Sequence, residues 1–419
     1  MEEVEIPQYF LCPISLMIMK DPVTTVTGIT YDRESIEMWL LTAEEEATTM
    51  MTCPVTKQKL PRDIELLTPN HMLRRLIQAW CIANASNGID RIPTPKYPLN
   101  KSHILRLVRQ VNNHQLCVEA LRKIDVLVIE NNEKNKKCLE EVGVIKAMVS
   151  FIIKSCKERK LVNGLEEALR IFHHIWSQTT ENIQLVKENV DLIEAILWIL
   201  KSDMTKNQVI IKTQAMMVLK NVTGVSSSNL LSGLHPEFFQ EMVNILRKES
   251  KHHISQQATK GALQVLIDAC PWGRNKHKII ESGAIFELIE LELCNTEKRV
   301  SELVLCVLAH LCTLADGRAE FLKHAGGISV VTKRTLRVSS STDDCAIQIL
   351  GSISKCSATK EVLMEMLRVG AVSKLCMVIQ ASCGDYLKKK AMDILKTHSY
   401  AWSNSPCIQV YLLTRYPEQ

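Results

Sequence analysis

Two Cys-Pro pairs are the first residues whose type and spacing could do chemistry. FLCPISLMIMKDP at 10–22 carries Cys12-Pro13, and TCPVTK at 52–57 carries Cys53-Pro54. Paired cysteines near a chain terminus suggest structural zinc, which takes four Cys or His ligands per ion. Residues 1–80 hold only Cys12, Cys53 and His71, and the next candidate is Cys81. These side chains are scattered from position 12 to 81, with no Cys-x2-Cys or His-x3-His pair. The count excludes the metal, and no cofactor is expected. Packing and hydrogen bonds must hold this segment instead.

The elements around the pairs can be read directly. Asp21-Pro22 and Thr27-Gly28 are turn signals flanking the strand-like VTTV, which predicts a hairpin. YDRESIEMWLL (31–41) predicts a helix capped by Asp32, with Glu34 near its positive end and Ile36, Trp39 and Leu40 on one face. TPNHMLRRLIQAWC (68–81) predicts a second helix, capped by Asn70 or Thr68, with Leu73, Ile77 and Trp80 inward. His71 is read as a cap-region residue. Between the helices lie TAEEEATTMMT (42–52), with the acidic run Glu44–Glu46, and then the second Cys-Pro loop.

The chain of 419 residues is longer than one ordinary domain. No apolar run reaches the ~18 residues that span a bilayer, and MEEVEIPQYF is no signal peptide. Neither an integral membrane segment nor secretion is expected; the cytosol is the expected compartment, with the nucleus as an alternative. The 15 cysteines sit within apolar patterns such as ELVLCVLAHLC and are read as reduced core hydrophobes. Residues 1–85 carry 7 Lys/Arg against 12 Asp/Glu, whereas the rest carries 44 against 34. No dense basic run interleaved with aromatics occurs, so nucleic-acid binding is not expected.

Proline marks the division of the chain. Nine of the 13 prolines fall in the first 98 residues, and only Pro236 and Pro271 lie between 99 and 405. Because proline is excluded from helix interiors, the two regions must differ in architecture. SNGIDRIPTPKYPLNKS (86–102) reads as a linker. Beyond it a phrase recurs: VGVIKAMVSFI with Gly143, SGAIFELIELE with Gly283, AGGISVVTK with Gly326 and VGAVSKLCMVI with Gly370. Weaker copies are VDLIEAILWIL, with Asp191 in the glycine position, and HPEFFQEMVNIL at Pro236. The spacing, roughly 43–48 residues, is that of armadillo/HEAT solenoids, in which stacked units bury one continuous core. Repeats are expected over 103–403, with a tail over 404–419. A solenoid of this kind offers a long groove, and its net positive charge is either part of a binding face or simply solvated.

IPQYFLCPISLMIMKDPVTTVTGITYDRESIEMWL, TCPVTKQKL and LTPNHMLRRLIQAWC, in that order, resemble the U-box over residues 6–81. The U-box is the zinc-free relative of the RING domain. A U-box followed by armadillo repeats resembles the plant U-box ubiquitin ligases. GRAEFLKHAGGISVVTKRTLRVS and PCIQVYLLTR are similar to the subfamily tied to plant immunity and stress. The implied fold is mostly α: a small α+β U-box and then an armadillo-type α-solenoid. The resemblance further implies docking of a ubiquitin-charged conjugating enzyme, with Ile14, Leu16, Trp39 and Pro54 on the docking surface and Lys57 beside the donor ubiquitin. No covalent or acid/base residue is implied on this chain, and Cys12 is read as a buried filler. The repeats are expected to hold the protein substrate, and homodimerisation is open.

Each of these residues has a plainer reading. Ile14, Leu16 and Trp39 could serve the core, Pro54 could only shape its turn, and Lys57 could merely be solvated. The 42–52 loop departs from the family by its length and its three acids. It is the one feature favouring a non-catalytic armadillo scaffold over a ligase. A nuclear-import adaptor would need a Trp/Asn ladder at the repeat period, and Trp176 and Trp198 do not make one.

Overall fold

The computed structural model describes residues 6–41, 50–61, 66–85, 101–113, 115–130, 133–158, 163–202, 207–247, 255–294, 297–403, 405–406 and 408–409. Its contacts divide the chain into a unit of residues 1–98 and a unit of 99–419. Most of the 86–102 linker, Glu44–Glu46 and most of the tail lie outside the described residues.

In the first unit a 3-10 turn (Gln8–Phe10) leads into the first Cys-Pro loop. β1 (Pro22–Thr24) and β2 (Thr30–Asp32) then form the expected hairpin, in register Val23 to Tyr31. Its turn places Gly28 at φ 79°, a left-handed conformation that glycine adopts freely. α1 (Arg33–Leu41) follows, then β3 (Met50–Thr52) and β4 (Lys59–Pro61), a second antiparallel pair that brackets the second Cys-Pro loop. β5 (Thr68–Pro69) adds to β1, and α2 (His71–Ala83) completes the unit. Asn70 caps α2, its side chain accepting from the Leu73 amide at 3.1 Å, while Thr68 lies in β5. Ile36, Leu40 and Ile77 enter a small core with Phe10, Met19 and Val23.

Among the described residues the second unit is helical throughout. A leading pair, α3 (Lys101–Val111) and α4 (Cys117–Ile129), precedes six triplets. The first comprises α5 (Glu133–Glu141), α6 (Val144–Lys157) and α7 (Leu165–Ile175), and the second α8 (Thr180–Val186), α9 (Val190–Lys201) and α10 (Gln208–Thr223). The third comprises α11 (Ser228–Ser232), α12 (Pro236–Leu246) and α13 (Gln256–Ala269), and the fourth α14 (Asn275–Glu281), α15 (Ala284–Cys294) and α16 (Lys298–Leu311). The fifth comprises α17 (Ala315–Lys323), α18 (Gly327–Arg334) and α19 (Ser340–Cys356), and the sixth α20 (Lys360–Arg368), α21 (Ala371–Gln380) and α22 (Asp385–Thr397). A closing turn, α23 (Ser399–Trp402), buries Trp402, whose indole donates to the Leu395 carbonyl at 2.9 Å. The recurring phrase is the start of each middle helix. The entry is solved in several ways: Gly143, Gly283 and Gly370 adopt positive φ, Asn189 rather than Asp191 caps α9 by accepting from Leu192 at 3.0 Å, and Pro236 opens α12. Gly326 stays right-handed; there the need for glycine passes to Gly327, whose Cβ would fall 2.6 Å from the Phe321 carbonyl.

One apolar core runs without a break from Ile104 to Trp402. The third helices, α4, α7, α10, α13, α16, α19 and α22, stack consecutively. Polar rungs cross this stack. Asp125 takes Arg170 at 2.7 and 2.9 Å, Asn221 meets His173 at 3.4 Å, and Thr223 donates to Asp268 at 3.4 Å. Lys260 pairs with Glu297 at the head of α16, and Lys390 with Asp344 at 3.4 Å. No described helix is long and apolar enough to cross a membrane.

Candidate functional site

The two Cys-Pro loops are built to one plan. In the first, the Cys12 amide donates to the Met17 carbonyl and the Leu16 amide to the Cys12 carbonyl, both at 2.8 Å. In the second, the Cys53 amide donates to Gln58 at 2.8 Å and the Lys57 amide to Cys53 at 3.0 Å. The fifth residue of each loop is left-handed, Leu16 at φ 57° and Lys57 at φ 60°. A non-glycine residue there is strained. Leu16 is 74% exposed and Lys57 is exposed.

The sulfurs hold these loops. Asp32's amide donates to Cys12 Sγ at 3.3 Å, and the Tyr31 hydroxyl contacts Cys53 Sγ at 3.0 Å. Thr27 Oγ1 and the Thr56 amide donate to Cys53 Sγ as well, at 3.4 and 3.5 Å. Adjacent residues of β2 therefore grip one loop each. Burial pushes both thiols up, but the donors outweigh it: Ser15, Asp32 and Ile14 leave Cys12 below its ordinary value. Thr27, Thr56 and Tyr31 bring Cys53 down to about 6. Burial, reinforced by Cys53, pushes the Tyr31 phenol well up. The cysteines are thus more than the fillers the sequence suggested. Each is a buried acceptor that organises its loop, a role that leaves no signal in hydrophobic patterning.

A second correction concerns Asp32. Its carboxylate does not cap α1 but accepts from the amides of Lys20 and Asp21, both at 2.8 Å, closing the exit of the first loop. Asp21 is then a hub. Arg33 at the head of α1 bonds it at 2.7 Å, and Arg74 of α2 bonds its other oxygen. Burial raises the Asp21 carboxyl, yet the two guanidiniums hold it below the usual carboxylate range.

The named surface residues divide by exposure. Ile14 is half-buried and packs on the core, and Pro54 is half-buried in its turn. Trp39 is 37% exposed, and its indole donates to the Thr52 carbonyl at 3.2 Å, tying α1 to the strand before the second loop. Trp39 thus straps the second loop to α1, while Ile14 and Leu16 lie on the first loop, joined to it through β2. Met17, 67% exposed, extends the apolar surface of the first loop and was not singled out from the sequence. Among the described residues no group of three His, Cys, Asp or Glu could hold a metal ion.

A model of the U-box domain matches residues 6–86, and a model of the plant U-box protein ARM repeat region matches 102–418. E3 ubiquitin-protein ligase PUB23 of Arabidopsis thaliana is 43% identical, over 99% of this chain and 98% of that protein. E3 ubiquitin-protein ligase PUB22 of the same plant is 40% identical over 99% of both. A chain solved in work on the interaction between cadherin and beta-catenin superposes with a TM-score of 0.57 at 12% identity, over 80% of this chain and 60% of that one. An engineered protein superposes at 0.53 and 18% identity, over 71% and 68%.

Proposed function

This chain belongs to the plant U-box proteins with an armadillo repeat region and is a U-box ubiquitin ligase, a transferase, and on that premise we propose a division of labour between its units. The U-box docks a conjugating enzyme that carries ubiquitin as a thioester. The repeats hold the protein whose lysine receives it. The substrate amine attacks the thioester carbonyl, the acyl bond passes from sulfur to nitrogen, and no ubiquitin is attached to this chain on the way. Its contribution is positional: an ordered donor reaches attack geometry more often, which lowers the barrier without new chemistry.

One observation carries the docking reading. Two loops of the same hydrogen-bonded form are fixed to adjacent residues of β2, and their left-handed fifth residues, Leu16 and Lys57, are both exposed. A strained, exposed leucine does nothing for folding, whereas an apolar spot with polar surroundings suits a weak, reversible protein contact. Ile14, Trp39 and Pro54 complete the apolar part, and Lys57 is the polar edge facing the donor ubiquitin. For the repeats, the support is the match to the plant U-box protein ARM repeat region, whose stacked third helices carry polar side chains at successive steps.

The test is chain formation with ubiquitin, activating enzyme, conjugating enzyme and ATP. Leu16→Glu removes only an exposed side chain and is expected to cut the rate at least ~10-fold with unchanged melting. Trp39→Ala is expected to cut it as far, with a small loss of stability from the missing bond to Thr52. Full activity in both variants would sink the assignment.

A further inference from the structure

Each repeat opens with a short helix, and α11 is the shortest among the described residues, five residues against seven in α8 and α14. A cavity of about 160 Å³ lies beside it, bounded by α9, α11, α12 and the turn that joins the last two. Its buried walls are Ile193, Leu230, Leu234 and Phe238. Val190, 52% exposed, and the half-buried Leu197 carry the apolar lining out to the surface. No third helix contributes to it. The cavity therefore stands apart from the helices whose polar side chains support the substrate reading.

Size and charge decide what fits. Pockets for whole small molecules run from about 300 Å³ upward, whereas a cavity of about 150 Å³ lined by Leu, Ile and Phe holds one benzene. The space suits a single large apolar side chain, the kind of anchor on which protein contacts concentrate their energy. Glu194, Asn229 and His235 supply the polar lining. Their side chains form no hydrogen bond or ion pair among the described residues, and His235 stands at the N-cap of α12 without capping it.

Acids dominate the elements around the cavity. α9 and α12 carry Asp191, Glu194, Glu237 and Glu241 against one base, Lys201 at the end of α9, and α11 carries no charge. This departs from the chain beyond residue 85, which holds 44 Lys/Arg against 34 Asp/Glu. Two bases that reach these elements are already held. Lys157 bonds Asp191 at 2.8 Å, and Lys278 donates to the Leu234 carbonyl at 2.6 Å. Lys157 feels the charge of Glu194 but does not bond it.

We propose that this cavity is an anchor pocket for a protein partner. It takes one Phe or Leu side chain, and Glu194 receives a Lys or Arg next to that residue in the partner's chain. His235 and Asn229 bond the partner's backbone at the rim. A single anchor of this size gives a weak, reversible contact.

The test uses the full chain with carbon-13 labels on its isoleucine methyls and short peptides as probes. N-acetyl-Phe-Arg amide, titrated to ~10 mM, is expected to move the Ile193 methyl resonance saturably. N-acetyl-Phe-Glu amide should bind at least ~3-fold more weakly, and N-acetyl-Gly-Arg amide should leave Ile193 in place. Glu194→Gln should bring the two Phe peptides to equal affinity. Val190→Trp, which alters only an exposed part of the wall, should abolish the shift with unchanged melting. An unmoved Ile193, or equal affinity of the two Phe peptides for the wild type, would overturn the proposal. So would a preference that survives Glu194→Gln, or undiminished binding in Val190→Trp.

Discussion

The N-terminal unit and the repeats differ in what fixes a functional surface. In the U-box the two loops are held by point contacts: Tyr31 on Cys53, Asp32 on Cys12, and Asp21 between Arg33 and Arg74. Its described core is small, so a single lost bond moves a loop. In the solenoid each helix packs on its neighbours through a core that runs from Ile104 to Trp402, and the polar rungs are additions to that packing. Damage there is shared with adjacent repeats and no further. The contrast predicts two independently breakable units, and the variants below test it from the strongest effect to the weakest.

Arg334→Ala is the strongest. Glu292, 2% exposed, accepts from Ser301 at 2.7 Å and pairs with Arg334, joining α15 to α16 and α18. Burial raises the Glu292 carboxyl against the pull of Ser301 and Arg334. Removing the guanidinium strands this carboxylate, at ~3–5 kcal/mol. Denaturant titration should lower the solenoid transition and leave that of the U-box in place. Chain formation without substrate should persist. A fall in both transitions would break the comparison.

Asp21→Asn is the converse. It strips two guanidiniums of their carboxylate in a partly buried site, costing ~2 kcal/mol in the U-box alone. The pH dependence has a definite sign. Asp21 is depressed when folded, so its stabilisation is present above the unfolded value of about 4 and is lost as pH falls through the folded value. Acid melting of the wild type should show this loss, and the variant should be flatter.

How much of this was legible follows the same division. Period and glycine placement expose the solenoid, because each repeat must bury an apolar face and re-enter a helix at a fixed interval. What they hide is the short opening helix of each triplet, such as α14, which is too brief for a clear period. In the U-box the hairpin, both helices and Asn70 as cap could be read locally. The corrected points, Asp32 and the two cysteines, act over 11 to 22 residues of separation, through a carboxylate on amides and through sulfur as an acceptor. No local propensity encodes such pairings. The similarity of the two loops was visible only as a repeated Cys-Pro, since the amide pattern and the left-handed fifth residue belong to the backbone.

Tyr31→Phe probes one sulfur contact. Losing the hydroxyl beside Cys53 should cost ~1 kcal/mol. Cys53 is lowered to about 6 when folded, so its contribution is full above the unfolded thiol value of about 8.5 and is lost as pH falls through about 6. The wild-type U-box should therefore gain stability across that window. In Tyr31→Phe the thiol rises and the gain shrinks. Identical pH profiles would mean that Tyr31 only fills space.

The smallest effects on stability, and the sharpest on function, come from comparing the loops with each other. Leu16→Gly and Lys57→Gly both replace a left-handed residue with the one residue that adopts this backbone freely, so each should melt within ~1 kcal/mol of the wild type. Any functional loss then belongs to the side chain alone. If the first loop supplies apolar contact, Leu16→Gly should weaken binding of the conjugating enzyme about tenfold. If Lys57 acts on the donor ubiquitin, Lys57→Gly should leave that binding unchanged and slow the discharge of ubiquitin onto free lysine. Equal loss of binding in both would make the loops one undivided docking surface, and equal loss of discharge with intact binding would move the docking contact to Trp39 and Ile14.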